Sequence, residues 1–110
     1  QYAADGAIEF AVATMRISLD AGTATCGDAW AESANLNGVD IRVESAVTCN
    51  AVLAGDGFPV VQTSGSFVAC DDRRAACAEH DIVVRSLVAF EADSAGRVVG
   101  TSVRSWSVLR

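Results

Sequence analysis

The stretch QYAADGAIEFAVATMRISLDAG (Gln1–Gly22) decides what the rest of the chain must build. Ala4, Ile8, Ala11, Val12, Met15 and Leu19 recur at three- and four-residue steps, so an α-helix over 2–19 gathers them into one apolar stripe. Asp5, Glu9 and Arg16 fall mostly away from that stripe. Such a helix is roughly 27 Å long at about 1.5 Å per residue. The run LDAG ends it, with Gly22 in the C-cap region. Its start carries no Ser, Thr, Asp or Asn cap. Gln1 and Tyr2 lead straight into helix formers, which predicts either a tip that frays or a helix that continues before Gln1. One apolar stripe needs a partner surface, and a helix longer than that surface must project onto something else.

The remainder supplies a sheet. GVDIRVESAVTC (38–49) alternates cleanly, with Val39, Ile41, Val43 and Val47 on one side and Asp40, Arg42, Glu44 and Thr48 on the other. That is a half-buried strand. HDIVVRSLVAFEAD (80–93) and GRVVGTSVRSWSVLR (96–110) are the two best strands, and DSAG between them is a tight turn, so they form a hairpin. GFPVVQTSGSFVAC (57–70) reads as a weaker strand pair or an edge strand, with Pro59 at an edge or a strand start. TATCGDAWAESANLNG (23–38) mixes turn signals with Trp30 and reads as a short helix or an anchored loop. CDDRRAAC (70–77) is a polar loop closed by its cysteines. No internal repeat or low-complexity segment appears. The expected fold is α+β in one domain, 1–110: a helix over 1–20, then a loop and an antiparallel sheet over 21–110, with the helix packed on one face.

Composition bounds the function. The 110 residues are 51% hydrophobic, enough for one modest core. The formal net charge is -6 and all eight basic residues are arginine. An acidic surface argues against nucleic acid and anionic membranes as main partners, because both need a cationic face. No run approaches the roughly 20 apolar residues of a membrane helix, and no signal peptide is visible. Cys26, Cys49, Cys70 and Cys77 give the even count of a two-disulfide exported domain. Of three possible pairings, Cys26–Cys49 and Cys70–Cys77 join near neighbours and are preferred. Loop-closure entropy assigns them about 3.4 and 2.5 kcal/mol. A structural zinc site is the rival, and it usually wants a close Cys-x-x-Cys pair, which this chain lacks. Free thiols are the third alternative. Disulfides without an export signal are reconciled if residues before Gln1 have been removed.

Candidate chemistry is sparse. His80 in EHD (79–81) could act as a base oriented by a carboxylate, against the simpler reading of a solvated loop histidine. No nucleophile elbow, phosphate loop or metal-binding His pair is present. Asp71 and Asp72, with Glu79 and Asp81 nearby, could offer calcium oxygen ligands, but their spacing is not that of an EF-hand. They read more simply as an acidic loop, and Asp56 and Asp40 as turn and strand-face residues. Trp30 and Trp106 could stack on a ligand; Trp106 alternates with Ser105 and Ser107 and reads rather as core. No catalytic residue, cofactor or metal is therefore expected, and the chain does not read as an enzyme.

YAADGAIEFAVATMR (Tyr2–Arg16) resembles the segment that follows the membrane-spanning stretch in type IV pilus minor pilins and related pseudopilins. The matching residues are Ala4, Asp5, Gly6, Ala7, Glu9, Ala11, Met15 and Arg16. The closing VRSWSVLR (103–110), after a Cys-bearing loop, is also similar. The resemblance implies a leader cut by a prepilin peptidase and an apolar helical half, both before Gln1. That half would anchor the subunit in the inner membrane and later pack in the filament core. It implies a pilin-like domain, other pilin subunits as partners, and an extracellular or periplasmic cell-surface location. Tyr2, Ile8 and Glu9 are expected to contact neighbouring subunits. The expected work is filament assembly, adhesion or secretion. The alternative is a secreted disulfide-bonded binding module, an adhesin or inhibitor, recognised by an exposed patch around Trp30 or 70–81.

Overall fold

Gly22 stops the N-terminal helix by taking a left-handed conformation, φ 76°. Its N–H donates to the Leu19 carbonyl at 3.2 Å, and the Thr23 N–H donates to the Ser18 carbonyl at 2.9 Å. These two bonds satisfy carbonyls that a helix end otherwise leaves open. An alanine at position 22 would hold the same backbone at a cost of about 1 kcal/mol. Gly22→Ala is therefore expected to lower the melting temperature by about 5 °C in a calorimetric scan.

The computed structural model describes residues 2–36, 38–53, 57, 59–71, 76–78, 82–92 and 97–108, with the side chains of all but Tyr2, Leu36, Val52, Pro59 and Val60. Helix α1 (Tyr2–Ala21) precedes β1 (Ala29–Leu36), β2 (Val39–Leu53), β3 (Pro59–Asp71), β4 (Ile82–Ala92) and β5 (Val98–Val108). The strands form one antiparallel sheet in the order β1-β2-β3-β4-β5. The α+β expectation holds: α1 lies across one sheet face, and Ala4, Ala7, Ile8, Ala11 and Met15 are its buried residues.

Aligned rows of side chains meet the helix. One row runs Trp30–Ser45–Phe67–Ser86–Trp106 across all five strands. Phe67 is fully buried at its centre, the serines beside it are buried, and a half-buried tryptophan closes each end against the core. Ser86 Oγ donates to the Ser105 carbonyl at 3.0 Å, so its burial leaves no orphan donor. The next row, Val47–Gly65–Val88, passes under Met15.

Three expectations are corrected. Residues 29–36 are a strand rather than a helix or loop; pairing with β2 from Ala29↔Ala46 to Leu36↔Val39 outweighs the weak strand preference of Ala, Glu, Ser and Asn. Residues 59–71 form one central strand, neither a strand pair nor an edge. Its small residues suit the space directly beneath the helix, and Pro59 sits at its first position, where no ladder donor is lost. Strand β2 also runs past Cys49 to Leu53, paired with Pro59. The β4–β5 hairpin is as expected, and its Asp93–Gly96 turn lies outside the described residues. At the β5 edge, Leu87 pairs with Ser105 and Val88 with Val103, so Arg104 is an extra bulged residue. A charged bulge blunts an edge that would otherwise template another strand.

Candidate functional site

Both disulfides are formed in the preferred pairing. Cys26–Cys49 and Cys70–Cys77 each have a Cα–Cα distance of 5.6 Å and close separations of 23 and 7 residues. The first ties the α1–β1 loop to β2. The second closes the loop after β3, where the Cys77 N–H donates to Glu44 Oε2 at 3.1 Å and Arg42 Nε reaches the same oxygen at 3.0 Å. Two disulfides suit an oxidising extracellular or periplasmic compartment. Among the described residues, no helix is long and apolar enough to cross a membrane.

The three residues expected on subunit contacts separate. Ile8 is 0% exposed and belongs to the domain's own core. Glu9 is exposed. Tyr2 opens α1, and its side chain is outside the described set.

The outward face of α1 carries what the sequence reading missed. Phe10 is 66% exposed and Ile17 69% exposed. Phe10, Ala13 and Ile17 are exposed and follow a three- and then a four-residue step, the spacing of a helical packing seam. The helix is thus apolar on two sides, and only one of them meets the sheet. The second stripe was legible as that spacing, hidden because the first stripe already accounted for the helix.

A second apolar surface begins where the helix ends. Leu19, Ala24, Cys26, Cys49, Phe90 and Val98 line a cleft of about 310 Å³. The Val98 N–H donates to Asp20 Oδ1 at 2.8 Å, and Arg97 lies 3.8 Å from Asp20 Oδ2 at its rim. Beyond the cleft, β2 and β3 continue as a two-stranded ribbon: β1 pairs no further than Ala46, and β4 no further than Thr63. On the helix side, the rung Cys49–Thr63 is followed by Ala51–Val61 and Leu53–Pro59. Leu53 is 77% exposed and Val61 69%.

Other candidates are dispersed. Trp30 is half-buried, and with Thr14, Ser18, Asp28 and Glu32 it lines a shallower, more polar cleft between helix and sheet edge. Trp106 packs against the core. Asp40 accepts a 2.7 Å hydrogen bond from Asn35 Nδ2, a turn-side role. Asp71 ends β3, half-buried. Asp56, Asp72, Glu79, His80 and Asp81 lie outside the described residues. Among the described residues, no group of three or more His, Cys, Asp or Glu side chains could hold a metal ion. Among the described residues, Asp5 Oδ1 is buried without a hydrogen-bond partner. Comparison with protein-family models, with curated proteins and with solved structures returns no match.

Proposed function

We propose that this chain is the globular domain of a structural subunit in an extracytoplasmic filament, pilin-like in build and without an enzymatic role. The outward stripe of α1 carries the reading. A monomer gains nothing from exposing Phe10 and Ile17 on the helix while burying Ile8 and Met15 behind it. A subunit packed among copies of itself buries both sides. The disulfides, the leading helix and the resemblance of Tyr2–Arg16 to minor pilins and pseudopilins support the same reading. Other subunits are then the partners, with the inner membrane reached through residues before Gln1. The work is assembly, adhesion or secretion.

Sedimentation velocity over a concentration series tests it. The native chain is expected to self-associate reversibly. The double variant Phe10→Asp, Ile17→Asp is expected to remain monomeric, because burying two large apolar side chains supplies about 3–5 kcal/mol, over 100-fold in association. A native chain that stays monomeric at every concentration sinks the proposal. Independently, the coding sequence before Gln1 is expected to encode an apolar helical segment.

A further inference from the structure

The four most exposed large apolar side chains among the described residues are Leu53, Ile17, Val61 and Phe10. They form two patches. Phe10 and Ile17 stand on the outward face of α1; Val61 and Leu53 stand on the β2–β3 ribbon, in line with the cleft beyond the helix end. The lengths are comparable once the cleft is counted with the ribbon. Phe10 to Ile17 spans seven residues of helix, about 10 Å, and Cys49 to Leu53 spans four residues of strand, about 13 Å. The patches cannot meet within one molecule, because the helix turns its second stripe away from the sheet that carries the ribbon.

We infer that the two patches are halves of one joint between copies of this chain: the Phe10–Ile17 stripe of one copy seats in the cleft and ribbon of the next. A cleft of about 310 Å³ has room for one aromatic side chain, and Phe10 is the aromatic residue of the stripe. Charge permits the contact. Copies with a net charge of -6 repel in general, but each half of the joint has a charge of each sign beside it. Glu9 and Arg16 flank the stripe, and Asp20 and Arg97 flank the cleft. Opposite charges can therefore face each other across it. Because the halves differ, the contact is head-to-tail, and such a contact propagates into an open chain unless its rotation closes a ring. Stripe-to-stripe pairing would instead stop at a dimer and leave every ribbon bare.

This rests on the self-assembly proposed above, and complementation between two variants tests it separately. Phe10→Asp spoils the stripe and keeps the cleft; Val61→Asp spoils the ribbon and keeps the stripe. Both positions are exposed, so unchanged circular dichroism and melting temperature are expected. In sedimentation velocity, each variant alone is expected to be monomeric where the native chain associates. An equimolar mixture is expected to give a complex of twice the monomer mass that grows no further. If Val61→Asp alone associates like the native chain, or the mixture stays monomeric, the joint is wrong while self-assembly stands. If the native chain itself never associates, both readings fall.

Discussion

Replacing Gly65 by valine is expected to destabilise the domain by about 3 kcal/mol, the upper range for overpacking a well-filled core. The glycine has an ordinary backbone conformation and is required for closeness. A Cβ there would lie against Met15 Sδ and 2.8 Å from ring carbons of Phe67. Met15 and Phe67 are both fully buried, so neither has free space to move into. The side chain would lift α1 off β3 at the row between Val47 and Val88. With total stabilities of about 5–15 kcal/mol, a 3 kcal/mol loss lowers the melting temperature by about 15 °C. Gly65→Ala is expected to cost less, about 1–2 kcal/mol. Urea unfolding of both variants checks the order, and equal midpoints with the native chain would mean that the contact is not tight.

Removing the Cys26–Cys49 bridge with the pair Cys26→Ser, Cys49→Ser is expected to cost about 3.4 kcal/mol, against about 2.5 kcal/mol for Cys70→Ser, Cys77→Ser. The two bridges have the same Cα–Cα distance, so loop length, 23 against 7 residues, sets the expected difference. Cys26 and Cys49 also line the apolar cleft, so the first pair is expected to weaken self-association as well as folding. Urea titration and sedimentation velocity read the two effects separately. A larger folding loss for Cys70 and Cys77 would contradict the loop-entropy account, and that difference would then reside in placing a serine hydroxyl at position 70, where the cysteine is 0% exposed.

How far the sequence reaches depends on how loudly each element states its period. The inner stripe of α1 and the alternation of 39–47 are unambiguous, and both stand as read. The strands over 82–92 and 98–108 are equally clear. Residues 29–36 and 59–71 are not, for opposite reasons. The first is an edge strand of weak strand formers held by its neighbour and by Trp30. The second is central, yet rich in Ser, Thr and Gly, because its middle lies directly under a helix side chain. Local preference cannot register a space that only tertiary packing defines. The candidate joint was harder still. Phe10 and Ile17 look like extra core residues until the sheet is seen to occupy only the opposite side of α1. Leu53 and Val61 look like ordinary strand residues until β1 and β4 are seen to stop short of them.

In this sheet, every strand's neighbour in space is also its neighbour in the chain. The structure can therefore be assembled in the order in which it is synthesised. Helix α1 emerges first, and each later strand meets a template already present. Cys26 and Cys49 both precede β4 in the chain, so their bridge needs no later strand. No strand has to wait for a distant segment or slip between two already paired, so loop closures stay short and sticky edges are exposed one at a time. Under the proposed self-assembly this order has a use: in a half-made chain the β2–β3 ribbon and its cleft are not yet complete, so the proposed joint would form only from the finished domain.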